Sequence, residues 1–420
     1  MSEAAPPRSA PSRREWLPAL ALGILSALGY HAASRLIDAR LAQPAAANVW
    51  FDSDIPYRLE VMRHPGGWHN GGAHPLFPTL GHAALATAMA LTGEGDPLRA
   101  AGTAGAAVGG VFVALTYLLF RRLGLARTDA ALFAAIGAAS SGALFWFPVP
   151  ESYGLAATGV ALALLLAASA APAAGSLIAA CVASASSVLS NGCVGFLAVA
   201  SHHRHPRQWG RALVLLLAAL GAMSALWLVQ EWSHGTPFFL SERLLEYRQH
   251  TFPVTLERTG QVAQGLLVHS VVAPALMNDR PSFRHVAIGS SGIAGVVATL
   301  AWLALLGLGA AGTARLVAGR GEHALVVGVA AGSLGLAIAM HLTLGRELFL
   351  YALDVLPLLL VIAASATRLP RAKHLVRGLG LVLLAAALVA NVQQLRHAAD
   401  AARALATQRL AGSDSLSEPR

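Results

Sequence analysis

The residues best suited to chemistry lie between 50 and 78. The chain there reads Trp50-Phe51-Asp52-Ser53-Asp54-Ile55-Pro56-Tyr57-Arg58 and, ten residues on, Trp68-His69-Asn70-Gly71-Gly72-Ala73-His74-Pro75-Leu76-Phe77-Pro78. Asp52 and Asp54 are two carboxylates two residues apart, and a carboxylate in a partly buried cleft has its basicity raised enough to take a proton from a hydroxyl. The plainer reading is a solvated loop built on Asx-turns. Only 21 of the 420 residues are Asp or Glu, and these two fall among aromatics, which favours chemistry. Arg58, Arg63 and the later Arg346 offer planar forks that grip two phosphate oxygens at once. His74, ahead of Pro75, either joins that phosphate site or hydrogen-bonds within its own loop.

A second group follows in Pro148-Val149-Pro150-Glu151-Ser152-Tyr153. Glu151, with His69 and Tyr153, is a candidate to hold an acceptor or a divalent cation, while a carboxylate favoured by a helix dipole explains Glu151 as well. Asp52, Asp54, Glu151 and His74 make an oxygen-rich set, but no ligand spacing demands a metal, so the cofactor stays open. Asp354, beside Pro357 in an apolar run, is an acid where acids are rare, read either as functional or as a buried bond between helices.

The elements that must position these groups are set by composition. With 55% hydrophobic and 12% charged residues, the chain lacks the polar residues to coat a water-soluble surface. Apolar runs recur at 16–36, 98–120, 130–147, 154–171, 173–189, 192–201, 212–229, 286–309, 324–344, 348–366 and 376–392, most of them near the length of about 20 residues that crosses a hydrocarbon core of about 30 Å, with 173–201 too short for two full spans. The fold class is therefore an all-α polytopic membrane protein of about eleven spans, with a cytoplasmic tail over 1–15, a membrane domain over 16–393 and a polar C-terminal tail over 394–420. Net charge is +9, but the arginines sit in short loops and no basic face interleaves with aromatics, so nucleic acid is excluded as a partner and membrane lipids are expected. Cys181 and Cys193 supply neither a disulfide framework nor a zinc spacing.

Placing the N-terminus in the cytoplasm puts Arg121, Arg122 and Arg127, then Arg204, Arg207 and Arg211, then Arg315 and Arg320, then Arg368, Arg371, Lys373 and Arg377 on the inner side, as the positive-inside rule requires. It also puts two long loops outside, 37–97 and 230–285, with 75–92 read as an interfacial helix. The interrupted stretch 173–201 reads as two short helices, because one span would reverse every later loop. The second outer loop carries Glu231, Trp232, His234, Glu242, Arg243, Tyr247, Arg248 and His250, groups suited to a carbohydrate acceptor.

The order of an Asp-bearing outer loop, a His74-Pro75-Leu76-Phe77 start to a surface helix, a span ending in Arg121-Arg122-Leu123 and a following span ending near Glu151 resembles the GT-C glycosyltransferases. Within them it is most similar to the branch using lipid-phosphate sugars, which includes aminoarabinose transferases and protein O-mannosyltransferases; the likeness covers roughly 52–211, with a fainter match in the C-terminal third. The resemblance implies a catalytic Asp at Asp52, where Ser53 stands in place of the family's Glu and Asp54 is an equal occupant. It implies donor-phosphate contacts at Arg58, His74 and Arg346, the last in Gly345-Arg346-Glu347-Leu348-Phe349-Leu350-Tyr351. The partners it implies are a polyprenyl-phosphate-linked sugar donor and a glycan, glycolipid or protein acceptor, met on the periplasmic or outer face of a bacterial inner membrane. The rival class is a transporter or lipid flippase, against which no repeat relates the two halves; a scaffold that keeps the fold without activity is the third.

Overall fold

The computed structural model describes residues 13–67, 74–169, 172–235, 251–276, 286–290, 292–319, 323–345 and 347–417. The chain is an α-helical polytopic membrane protein, and among the described residues seven helices are long and apolar enough to cross a bilayer. In chain order the helices are α1 (Arg13–Ser34), α2 (Ile55–Arg63), α3 (Phe77–Thr92), α4 (Pro97–Arg122), α5 (Arg127–Ala139), α6 (Ser141–Trp146), α7 (Ser152–Ala167) and α8 (Ala174–Ala185). They continue with α9 (Gly192–His202), α10 (Trp209–His234), α11 (Leu256–Val262), α12 (Gly292–Ala318), α13 (Ala324–Thr343), α14 (Ala352–Ala364) and α15 (Lys373–Ser417). One antiparallel pair, β1 (Pro274–Leu276) with β2 (Val286–Ser290), precedes α12.

Burial separates the helices by role. Every residue of α14 is buried, with α5, α7, α12 and α13 packed around it. By contrast α1, α10, α12 and α15 expose Leu20, Ile24, Leu25, Leu213, Leu217, Leu300, Leu303, Leu381 and Leu388 on their outward faces. An apolar belt of that extent would drive aggregation in water and is the expected surface toward lipid tails. Where helices must come closest, small residues let them. A Cβ on Gly105 of α4 would stand 2.1 Å from the carbonyl oxygen of Phe147, and one on Gly109 would strike the Tyr30 ring at 2.6 Å. This is the close approach that small residues four apart permit between membrane helices.

The two ends of the bundle differ in kind. At one end α1, α4, α5, α14 and α15 are tied by Arg121 to Glu15 at 2.8 Å, Arg377 to Asp129 at 2.5 Å, and Arg368 to the Leu123 carbonyl. The opposite end collects α2, α3, the starts of α7 and α14, and the short turn joining α8 to α9.

Three expected elements take a different form, while 173–201 folds as the two short helices read from the sequence. The run 130–147 is broken at Ser140, whose side chain caps α6, while α6 takes its backbone partners from residues 270 and 271. The stretch 173–201 forms two helices, α8 and α9, folded back on one another, with Gly195 against Cys181. The run from 286 opens as strand β2 before α12 begins. The C-terminal segment 394–420, expected as a polar tail, continues α15 as helix to Ser417. Its alanines are strong helix formers, and Leu395, Ala398, Ala399, Ala402 and Ala406 form a buried stripe that composition alone hides behind the intervening charges. That stripe packs on residues 39–46, where Arg403 pairs with Asp38 at 3.0 Å and Arg409 donates to the Ala47 carbonyl at 2.7 Å.

Candidate functional site

The site is built outward from a tight turn. Trp50 and Ser53 bridge, and the Ser53 amide donates to the Trp50 carbonyl at 2.8 Å. The two residues between them are left-handed, Phe51 at φ 47° and Asp52 at φ 62°. That double left-handed geometry belongs to a type I′ turn, which normally takes Asn or Gly because a Cβ crowds the carbonyl. Holding Phe and Asp in it costs about 1 kcal/mol or more per residue. The cost is met by packing. The buried Phe51 ring lies 5.0 Å from Phe349, 5.4 Å from Trp50, 5.5 Å from Phe145 and 6.2 Å from Trp146, an aromatic clamp drawn from three segments. Asp52 and Asp54 emerge on either side of the buried Ser53, both half-buried.

Behind the turn stands a buried charge network. Arg58 on α2 points its Nε at Glu151 Oε2 at 3.3 Å, both side chains nearly removed from solvent. Ser53 Oγ donates to Glu151 Oε1 at 2.9 Å, and the Ser152 amide donates to Oε2 at 3.0 Å, so Glu151 is at once the N-cap of α7 and the anion facing Arg58. Two hydrogen-bond donors and one guanidinium on a single carboxylate make it a holding group.

His74 completes the network, and its tautomer follows from its partners. An arginine has no acceptor, so Nε2, 3.2 Å from Arg58 Nη2, must accept. Nδ1 then carries the hydrogen and donates to the Ser187 carbonyl at 2.9 Å, with Ser152 Oγ also 2.9 Å away. Burial first, then the Arg58 charge, pushes the imidazole down to about 3, against the pull of the Ser187 carbonyl. A neutral His74 orients Arg58 and adds no positive charge of its own. For Arg58, burial opposes the charge, but the surrounding anions, Glu151 foremost, outweigh it and hold the guanidinium above its usual range.

Asp54 differs from Glu151 in environment. Burial raises its carboxyl above the ordinary Asp range, and Glu151 and Asp52 push the same way, while Arg58 and the Tyr57 amide pull down. It lines an open cleft of about 620 Å³ shared with Gln43, Tyr57, Glu60, Arg63 and Asp96. A smaller apolar cavity of about 30 Å³ lies across α2, between Met62, Phe77, Gly81, Ala104 and Phe147, and reaches Glu151.

The structure thus brings Asp52, Asp54, Arg58, His74, Glu151 and Tyr153 to one end of the bundle. Tyr153 is buried, edge-on to His74 at 6.0 Å and to Tyr351 at 5.7 Å. Arg63, exposed and 3.4 Å from Glu60, lines the same cleft as Asp54 but lies outside the buried network. His69, Arg346 and the second-loop residues Glu242, Arg243, Tyr247, Arg248 and His250 lie outside the described residues. Among the described residues no group of three or more His, Cys, Asp or Glu gathers as metal ligands.

Several contributors carry no signal in the sequence. Ser152 and Ser187 are common small residues, and Gln230, which donates to the Pro75 carbonyl at 2.9 Å and accepts from Thr79 Oγ1 at 2.8 Å, pins the start of α3 from the last turns of α10, just past the apolar run 212–229. Arg258 donates from Nη2 to the His341 and Leu344 carbonyls at 2.8 and 3.1 Å, capping the end of α13. Searches with the sequence against protein-family models and curated proteins, and with the fold against solved structures, find no match.

Proposed function

We propose that this chain is a membrane glycosyltransferase of GT-C type that moves a sugar from a polyprenyl-phosphate donor to an acceptor hydroxyl. The observation that carries the reading is the strained turn at Phe51 and Asp52, which leads into Asp54 at the rim of a cleft, with the buried Arg58, Glu151 and His74 behind it. Backbone strain of this kind persists where the surroundings over-determine it, and it concentrates at functional sites.

In this reading an acceptor enters the cleft beside Asp54, whose raised basicity suits it to take the hydroxyl proton. The acceptor oxygen forms its bond to the anomeric carbon as the carbon–oxygen bond to phosphate breaks, and the bonding pair leaves on the phosphate. Attack opposite the phosphate inverts the anomeric centre. Arg58, held charged and oriented by Glu151 and His74, faces the charge that grows on the phosphate. Asp52, at the most strained position, fixes the turn and lies beside the same hydroxyl.

The remaining parts of the reading follow from it. The four shorter segments, α5 with α6, α7, α8 and α9, complete eleven passes together with the seven long helices. The positive-inside rule sets Arg121, Arg122, Arg127, Arg368 and Arg371 in the cytoplasm and the strained turn on the outer face of a bacterial inner membrane. Gathering of charge at one end of the bundle, instead of at mid-depth, favours transfer over transport.

The test is transfer from polyprenyl-phosphate hexoses to glycan acceptors in reconstituted vesicles. Asp54→Asn is expected to lose about 10² to 10⁴ in rate, the range for removing a general base. Wild-type rates in both Asp54→Asn and Asp52→Asn would remove the proposal.

A further inference from the structure

The first turn of α14 places an acid where the network around Arg58 does not use it. Asp354 is 5% exposed, within electrostatic reach of Glu151, Tyr153 and Tyr351, and the Asn191 amide at the α8–α9 turn faces it. Asp354 Oδ1 and Asn191 Nδ2 face one another without closing to full hydrogen-bond geometry, and Ser187 Oγ, fully buried on the same turn, completes no hydrogen bond among the described residues. The Ser187 carbonyl meanwhile receives His74 Nδ1, which fixes this turn next to the Arg58 network.

Buried polar atoms of this kind are uncommon because each forfeits its hydration without replacement. Here an acceptor, an amide donor and a hydroxyl, on two elements that meet, share the same lack. A hydroxyl-rich ligand supplies the complementary pattern, since two neighbouring hydroxyls donate to one carboxylate while ring or hydroxyl oxygens accept from an amide. The Tyr153 and Tyr351 rings, 5.7 Å apart and nearly perpendicular, give that ligand an apolar wall.

We infer that Asp354, Asn191 and Ser187 form the subsite that binds the hydroxyls of the donor's sugar, inward of the Arg58 phosphate contact. The inference rests on the transferase reading above and adds to it the residues that recognise the sugar. It also explains why an acid is kept within the otherwise apolar α14: its uncompensated burial weakens the fold and serves only a bound ligand.

Binding of bare polyprenyl phosphate and of a panel of neutral polyprenyl-phosphoryl hexoses and pentoses to the full chain in detergent tests this. Wild type is expected to bind at least one sugar-bearing lipid about tenfold to a hundredfold more tightly than the bare phosphate, the factor for hydrogen bonds to a charged group. Asp354→Leu is expected to erase that preference, leave the bare phosphate unchanged and melt at or above the wild-type temperature. Asn191→Ala, at the partly exposed turn, is expected to reduce the preference in the same direction should Asp354→Leu fail to fold. Bare-phosphate binding with no sugar preference in wild type, or a preference retained in the variants, overturns the subsite and leaves the phosphate contact standing. A chain that binds none of these lipids overturns the transferase reading and the subsite together. A variant that folds but melts well below wild type assigns Asp354 a structural role and overturns the inference as well.

Discussion

The two ends of the bundle use the same residue types to opposite effect. At the end holding Glu15, Arg121, Asp129 and Arg377, ion pairs link one helix terminus to the next, and Arg121 and Arg377 remain in contact with solvent. Across the bundle, Arg58 and Glu151 are buried, the backbone beside them is left-handed at two successive non-glycine residues, and an acid nearby is left incompletely bonded. The pairing of an arginine with a carboxylate therefore says little by itself. Burial, strain and incomplete hydrogen bonding separate the end that fastens from the end that holds the candidate site.

The comparison breaks most readily at Arg58. Arg58→Ala leaves Glu151 buried without its cation and is expected to cost about 3 to 5 kcal/mol of stability, as for other buried pairs, with loss of transfer. A stability change below 1 kcal/mol would mean that solvent reaches the pair and that the two ends are alike.

An acid melt sharpens the same contrast. His74 is held neutral down to about pH 3, whereas in the unfolded chain it takes a proton below about 6.5. The unfolded state then binds more protons, so the stability present above pH 6.5 is lost as pH falls toward 3, by about 1.4 kcal/mol per pH unit at most. Thermal melts in detergent from pH 7 to 4 are expected to show this fall, and His74→Asn is expected to flatten it. An unchanged slope in the variant would place a charged imidazole beside Arg58.

Strain gives a smaller effect of the opposite sign. Asp52→Gly removes the Cβ that crowds the left-handed turn and is expected to raise stability by about 0.5 to 1 kcal/mol while transfer falls. A melting temperature that drops would show that Asp52 is held by its contacts at no conformational cost. Smallest of all, Glu15→Gln at the fastening end is expected to cost about 1 kcal/mol or less and to leave transfer unchanged.

What the sequence made legible follows the same division. The apolar runs mark the long helices because a lipid-facing surface needs nothing beyond unbroken hydrophobicity, and Asp52, Asp54, Arg58, His74 and Glu151 stand out because charge is scarce. The type I′ turn stayed hidden, since Phe51 is no turn former and its conformation is imposed by Phe145, Trp146 and Phe349 from distant segments. Ser53, a common small residue by type, donates to Glu151, a contact that only the fold brings about across 98 positions. The break at Ser140 was equally silent, because the carbonyls that accept the Ser141 and Gly142 amides belong to residues 271 and 270. The helical course of 394–417 was masked by the charges that flank its alanine stripe.

That last helix has a consequence for how the protein is made. With 45 residues at a rise of about 1.5 Å, α15 runs for about 67 Å, more than twice the hydrocarbon thickness of about 30 Å, so much of it projects beyond the lipid. The projecting part docks on 38–47, whose residues Ala42, Gln43, Pro44 and Ala47 form one wall of the cleft beside Asp54. A ribosome must therefore add some 362 residues after Ala47 before Arg409 exists to secure it. During that interval the nascent chain sits in the membrane with its cleft unfinished, so the cleft wall is secured late in biogenesis, when a distant helix closes the contact.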